Sequence, residues 1–247
     1  MYTVSIITPS YNSKEVISRT IDSVLSQTYQ NWEMIIVDDV SKDNSNEIIK
    51  EYTEKDNRIK LINLDKNSGP AVARNKAIAE AKGRYIAFLD ADDLWKPKKL
   101  EKQISFMTEK DCALSYSSYE TMTEEGKLLD KVIMPPSKLS YKDLLKTNYI
   151  GCLTAIYDTQ KVGKVYMPLI KKRQDYGLWL KILKKTDYAY CIEEPLATYR
   201  LMSNSVSSNK FKLLKYNYLL FREYEGFSSI KAFYYLCWNI LIKLLKR

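Results

Sequence analysis

Four short apolar runs, each ending in polar or acidic groups and each followed by a helical pattern, constrain this chain more than any other feature. "VSIITPSYN" opens the series with a β-branched run from Val4 to Thr8, bounded by Pro9, which reads as a buried strand. "WEMIIVDD" is a second such run ending in two aspartates, "RIKLINL" a third, and "RYIAFL" a fourth that leads straight into "DADD". Between them the spacing predicts helices. One begins at Asn12, with Glu15 three residues later as a capping box and Val16, Ile17, Ile21, Val24 and Leu25 as its apolar stripe. Another spans Ser45 to Lys55. A third lies in the alanine-rich "NSGPAVARNKAIAEAKG", opened by a Gly-Pro turn and stopped by Gly83.

Strands alternating with helices imply right-handed βαβ units, hence an α/β fold with a mostly parallel central sheet flanked by helices. Ligands of such sheets bind beyond the carboxyl ends of the strands. Thr8 to Asn12, Asp38 and Asp39, and Asp90 to Asp93 all fall at those ends, so the fold would gather them on one rim.

After Pro97 the pattern predicts a helix to about Lys110, a strand at "CALSYSSYE", a turn at "EEGK" and a helix from Tyr141 to Thr147. An apolar stretch, "IGCLTAIYD", comes next. In "KKRQDYGLWLKILKKTD", Tyr176, Trp179, Leu180 and Leu183 then fall at helical spacing. Residues 206–247 form a basic, aromatic-rich C-terminal segment, expected to be a helical appendage.

A chain of 247 residues with 45% hydrophobic content can bury one core and a small annex. Its four cysteines, Cys112, Cys152, Cys191 and Cys237, lack metal spacing, and no signal-peptide pattern precedes the first strand, so they read as thiols of a reducing cytosol. Histidine is absent, so any general base or metal site must use carboxylates, hydroxyls, lysines or cysteines. The net charge of +9 favours a polyanionic neighbour. Residues 1–130 are nearly balanced, however, and the excess lies beyond them, part of it after residue 207, where Lys210, Lys212, Lys215, Arg222, Lys231, Lys243, Lys246 and Arg247 face two glutamates. No nucleic-acid-binding motif organises these charges, so a nucleic-acid partner is not expected.

"FLDADDLW" crowds three like charges into four positions. Carboxylates suit hard cations such as Mg²⁺ and Mn²⁺, which take one or two protein oxygens and fill their other positions with water and phosphate. The cluster therefore points to a cation bridging protein and a departing diphosphate. The competing reading is that Asp92 or Asp93 caps the next helix.

"VSIITPSYN", "SVLSQTYQNWEMIIVDD", "NSGPAVARNKAI", "GRYIAFLDADD" and "RQDYGLWLKIL" together resemble the family 2 glycosyltransferases of the GT-A nucleotide-sugar fold, in that family's order and separations, over about residues 3–200. The resemblance implies a Rossmann-like domain over 1–205, divided into a nucleotide-sugar-binding half (1–110) and an acceptor half (111–205). Pro9 and Tyr11 would surround base and ribose, and Asp39 would accept from the uracil or ribose. Arg74 would approach the diphosphate or ribose. Asp90 matches a ribose contact and Asp92 the ligand of Mn²⁺ or Mg²⁺, with Asp93 able to share either role. Asp175 matches the base that deprotonates the acceptor hydroxyl, which then attacks the anomeric carbon with inversion. Three simpler readings stay open: Tyr11 packed on the sheet, Arg74 a solvated helix residue, and Asp175 the N-cap of its helix.

Two positions depart from the family pattern. Gln174 stands where an acidic residue is more common, and Val40 where glycine is. The Gln-x-x-Arg-Trp motif and multiple spans of processive relatives are not seen, so one transfer per encounter is expected. The implied partners are a nucleotide-sugar donor, UDP-linked, and a glycan or lipid-linked sugar acceptor, as in bacterial surface polysaccharide assembly. Specificity would lie between about Tyr116 and Lys172, and an oligomer stays open. The setting would be cytoplasmic. "SSIKAFYYLCWNILIKLLKR" is too interrupted by Lys231, Asn239 and Lys243 to span a bilayer. It suits a peripheral seat on an anionic inner membrane face, a packing helix or a dimer contact. Competing functions are a sugar-nucleotide nucleotidyltransferase, for which "TPSYNSKE" lacks a Gly-rich basic phosphate loop, and a catalytically degenerate nucleotide-sugar binder.

Overall fold

The computed structural model describes residues 4–202 and 210–245. The four apolar runs form strands β1 (Val4–Ser10), β2 (Trp32–Asp38), β3 (Ile59–Asn63) and β4 (Tyr85–Phe88), all parallel, in the order β3-β2-β1-β4. Alternate side chains leave opposite faces of a strand, so continuous apolar runs such as these must be covered on both sides. Ile35, Val37, Ile86 and Phe88 join one cluster, while Met34, Ile36, Tyr85 and Ala87 join the other.

The intervening helices supply the covers. α1 (Ile17–Leu25), α2 (Ser45–Lys55) and, after α3 (Pro70–Glu80), α4 (Lys99–Glu109) place Ile17, Ile21, Ile49, Leu100 and Ile104 on the second face. α3 covers the first face with Ala73, Ala77 and Ile78.

Past β4 the sheet grows by β5 (Leu94–Trp95), β6 (Leu114–Met122), β7 (Leu128–Ile133), β8 (Lys138–Ser140), β9 (Ile156–Asp158) and β10 (Tyr188–Arg200). The full order is β3-β2-β1-β4-β9-β6-β10-β5, with β7 on β6 and β8 on β10. β9 is antiparallel to both β4 and β6, so the parallel expectation holds for the first four strands and the complete sheet is mixed. The halves expected at 1–110 and 111–205 thus share one continuous sheet.

α5 (Tyr141–Lys146), α6 (Thr159–Val162) and α7 (Gln174–Leu183) cover the first face beside α3. Tyr176 and Trp179 are fully buried there; burying a side chain of that size contributes about 1.5–3 kcal/mol. α8 (Lys210–Leu219), a π-helical turn (Leu220–Tyr224) and α9 (Ser229–Leu245) complete the same cluster through Leu220, Phe221 and Ala232. Phe221 meets Tyr176 edge-on at 6.0 Å. The C-terminal segment is therefore docked on α5 and α7 along one side and is part of the core.

Two local expectations differ from what is observed. α1 starts at Ile17 because Asn12, with φ +48°, is left-handed and commits its polar groups elsewhere. Its N–H donates to Ser41 Oγ at 2.9 Å and its side-chain carbonyl accepts from the Lys42 N–H at 2.8 Å, tying the β1 loop to the β2 loop. α3 ends at Glu80, where Ala81 turns extended; Gly83 instead donates its N–H to Ser5 Oγ at 2.8 Å. A capping box does occur, at Ser140 and Asp143 on α5.

Lys99 is fully buried on α4, its ammonium donating to Gln103 Oε1 at 2.6 Å and lying 4.6 Å from the Trp95 ring centre. Burial pulls its pKa down to about 7. The unfolded chain therefore binds a proton that the folded chain rejects between about pH 7 and the ordinary lysine value, and stability rises with pH across that window. Lys99→Met is expected to stabilise the fold at pH 6 by roughly 1–3 kcal/mol, after the cost of leaving Gln103 unpaired. The gain should fade towards pH 10, read from urea midpoints at both values.

Candidate active site

The carboxyl ends of β1, β2 and β4 present three loops to one rim, and the first two are knotted together by aspartates. Asp38 is wholly buried, accepting from Ser10 Oγ at 3.3 Å, the Ser41 N–H at 2.8 Å and Asn46 Nδ2 at 3.0 Å. Asp39 accepts the Ser68 N–H at 2.6 Å and the Gly69 N–H at 2.7 Å, one on each oxygen. This fixes the loop that enters α3, where Gly69 has φ +85° ahead of Pro70 at the helix start. Each Asp39 oxygen retains a lone pair for a further donor.

Val40, next in the chain, has φ +64°, a conformation that costs a β-branched residue about 1–3 kcal/mol and that glycine adopts freely. That explains why glycine suits this turn. Pro9 lies within β1, paired opposite Val37, and Tyr11 just beyond it is half-exposed.

Arg74, on α3, is the electrostatic centre of the rim. Its Nη2 contacts Asp90 Oδ1 at 2.5 Å and its Nη1 donates to Gln174 Oε1 at 3.2 Å. Burial disfavours the guanidinium charge, but Asp90 outweighs it and raises the pKa overall. Gln174 is oriented in turn by donating to the Ile170 carbonyl at 2.9 Å. With a neutral carbonyl at this position, Asp90 is the carboxylate in ion-pair contact with Arg74 among the described residues. Cys152 shares this neighbourhood; burial and then Asp90 push its thiol well above the usual range.

The acidic turn itself is held by its backbone. Thr20 Oγ1 donates to the Ala91 and Asp93 carbonyls at 2.8 and 2.9 Å, and Arg200 Nε donates to the Asp92 carbonyl at 2.8 Å. Asp93 is buried, accepting the Arg200 N–H at 2.9 Å, and burial together with Asp92 and Asp90 raises its pKa. Asp92 enters no ion pair among the described residues. Burial, and then Asp90, push its carboxyl up to about 6. No group of three or more metal-ligating side chains occurs among the described residues. The donor set fits a hard cation all the same, since such ions need only one or two protein carboxylates when substrate phosphates complete the shell. Asp92 would be the ligand, with Asp90 beside it.

Asp175 lies in the first turn of α7, and Arg173, with φ +71°, takes the N-cap position in its place. Asp175 Oδ2 accepts from Asn148 Nδ2 at 3.0 Å. Asn148 is itself fixed by accepting the Ile150 N–H at 3.1 Å. The structure thus brings Asp90, Arg74, Gln174 and Asp175 together across the α3–α7 seam. Asn148, Gln174 and Arg200 were not legible as site residues: their roles depend on partners 27 to 108 positions away.

Known proteins resemble this chain over most of its length. Residues 5–160 match the family described as Glycosyl transferase family 2. A Bacillus subtilis (strain 168) protein bearing the name teichuronic acid biosynthesis glycosyltransferase TuaG is 50% identical over 229 residues, covering 93% of this chain and 91% of that protein. Escherichia coli WfgD, named a UDP-Glc:alpha-D-GlcNAc-diphosphoundecaprenol beta-1,3-glucosyltransferase, is 41% identical over 246 residues, covering 99% of this chain and 95% of its own. Among solved structures, S. aureus TarS (1–349) in complex with UDP-GlcNAc superposes with a TM-score of 0.76 at 20% identity, covering 97% of this chain and 72% of that one. The Pyrobaculum calidifontis mannosyltransferase PcManGT, in complex with GDP-Man and Mn²⁺, superposes at 0.71 and 16% identity, covering 94% of this chain and 69% of that one. Both likenesses identify the GT-A fold.

Arg74→Met leaves Asp90 without its cation and Gln174 without its donor. It should cost roughly 2–3 kcal/mol in urea unfolding, the lower end for breaking a partly buried pair. Arg74→Lys keeps one contact and should cost about 1 kcal/mol.

Proposed function

The chain belongs to glycosyltransferase family 2, and from that premise we propose that it transfers one sugar per encounter from a UDP-sugar to a hydroxyl of a lipid-linked acceptor, with inversion at the anomeric carbon. The observation that carries this reading is the division of labour among the carboxylates: Asp90 is neutralised by Arg74, whereas Asp92 enters no ion pair among the described residues and Asp175 is steadied by Asn148.

In this reading the half-exposed Tyr11 stacks on the base beside Pro9. Asp39, held rigid by two amides, accepts a ring N–H or ribose hydroxyl with its remaining lone pairs. Asp90 meets the ribose, and Arg74 directs its positive charge towards the diphosphate. Asp93 keeps the turn in shape through Arg200. Asp92 would hold Mn²⁺ or Mg²⁺, which when bound supplies positive charge against the departing diphosphate. Asp175 takes the proton from the acceptor hydroxyl, and Asn148 aims the carboxylate.

Support for donor and acceptor comes from WfgD, whose name carries UDP-Glc and a diphosphoundecaprenol-linked sugar. A β linkage made from a UDP-sugar whose own linkage is α is an inversion. The place in surface polysaccharide assembly rests on the names of TuaG and WfgD. A cytoplasmic setting accords with four cysteines that are all free thiols.

Calorimetry with UDP should show binding that weakens at least about tenfold when Mn²⁺ is chelated, and GDP should bind more weakly than UDP. Asp92→Asn should remove the metal-linked part. Asp175→Asn should keep UDP affinity while lowering transfer, or slow donor hydrolysis, by roughly a hundredfold or more. Asn148→Ala should lower kcat about tenfold at unchanged UDP affinity. UDP binding indifferent to metal, or full activity in Asp175→Asn, would overturn the assignment.

A further inference from the structure

α9 has two faces of different character. Its inner face, with Ala232, Tyr235 and Asn239, packs on the π-helical turn and α5; Tyr235 lies 5.8 Å from the Phe221 ring, and Asn239 Nδ2 donates to the Lys146 carbonyl at 2.8 Å. The outer face leaves Ile230 (85%), Phe233 (61%), Tyr234 (55%), Leu241 (45%), Leu244 (60%) and Leu245 (76%) open to solvent, at helical spacing over four turns. A groove of about 400 Å³ runs along it beneath Tyr234, Trp238 and Leu244. A continuous apolar stripe of this length on a water-exposed helix has a covering partner.

The charges around the stripe say which. Residues 226–245 include no Asp or Glu, while Lys231 and Lys243 among them are basic. The Lys231 ammonium lies 3.9 Å from the Phe227 ring centre, and that of Lys146 lies 5.6 Å from Trp238. Aromatics bordered by lysines, above an apolar stripe and without any acid, complement an anionic headgroup layer over an acyl boundary. No helix among the described residues is long and apolar enough to cross a membrane, so the helix would lie in the interface.

We propose that the outer face of α9 docks on an anionic lipid surface, and that this seats the acceptor half against the membrane. The inference rests on the lipid-linked acceptor proposed above. It has a structural corollary: the backbone that Asn239 grips at Lys146 continues to Asn148, which orients Asp175. The membrane-facing helix and the proposed base are thus braced on the same short segment, which would fix the base at a set height above the surface.

The test is flotation of the full chain with vesicles of about three parts phosphatidylglycerol to seven of phosphatidylcholine, compared with phosphatidylcholine alone. The parent should float with the anionic vesicles, and the bound fraction should fall at least about tenfold in a Leu241→Asp, Leu244→Asp double variant and at about 1 M salt. Calorimetric UDP affinity should be the same in parent and variant, which establishes that the variant is folded. Equal flotation of the two proteins overturns the proposal, as does absence of flotation by the parent. A dimer in sedimentation equilibrium that the variant dissociates, without flotation, also overturns it and assigns the face to a second copy. Flotation reads neither donor nor metal, so its failure is separate from loss of metal-linked UDP binding.

Discussion

Crowding of Asp90, Asp92 and Asp93 into one turn is the constraint around which the molecule is arranged. Three like charges this close in the chain repel, and the fold treats each of them differently. Arg74 reaches from α3 to neutralise Asp90. Asp93 is buried against the Arg200 amide and raised in pKa, a state in which it need not bear full charge. Asp92 enters no ion pair among the described residues, and burial with Asp90 raises its pKa to about 6. The turn survives because Thr20 and Arg200 hold its carbonyls, so its backbone geometry does not depend on neutralising every carboxylate.

The other two loops are made rigid by the same economy of short polar contacts. Asn12, Asp38 and Asp39 cross-link the ends of β1 and β2 and the entrance to α3 mainly through backbone amides and serine hydroxyls. Bonds to backbone N–H groups fix the carboxylates while leaving each Asp39 oxygen a lone pair. The left-handed Asn12 and Val40 are the conformational cost of turning the chain so sharply at these points. A preorganised rim of this kind would need little rearrangement to receive the nucleotide proposed above.

On the opposite side of the seam, the fold is organised by α7 and its packing on α5, the π-helical turn and α9. Gln174 and Asp175 are neighbours in sequence but serve different partners: one reaches Arg74 and the other Asn148. This places the donor-side arginine and the proposed base in register without a direct ion pair between them. The buried Asn217–Asn239–Lys146 relay then extends the same rigid unit to the surface of α9.

The sequence alone determined the alternation of strands and helices, the burial of both faces of the first four strands, and the gathering of Tyr11, Asp39, Asp90 and Asp92 at strand ends. These are local properties: side-chain period, turn residues and the position of charges relative to an apolar run. It also contained the five motifs of the glycosyltransferase family. Helix starts were less legible where a polar side chain had a distant partner, as at Asn12 and Gly83, whose hydrogen bonds to Ser41 and Ser5 replaced the expected cap and stop. Only the tertiary structure decided which carboxylate is paired, which is buried and which is left free, because that depends on Arg74, Arg200 and Asn148 arriving from remote parts of the chain. It also decided that the C-terminal segment packs by one face and exposes the other. Periodicity reveals that a helix has an apolar side, but only the neighbours in space reveal whether that side is already covered.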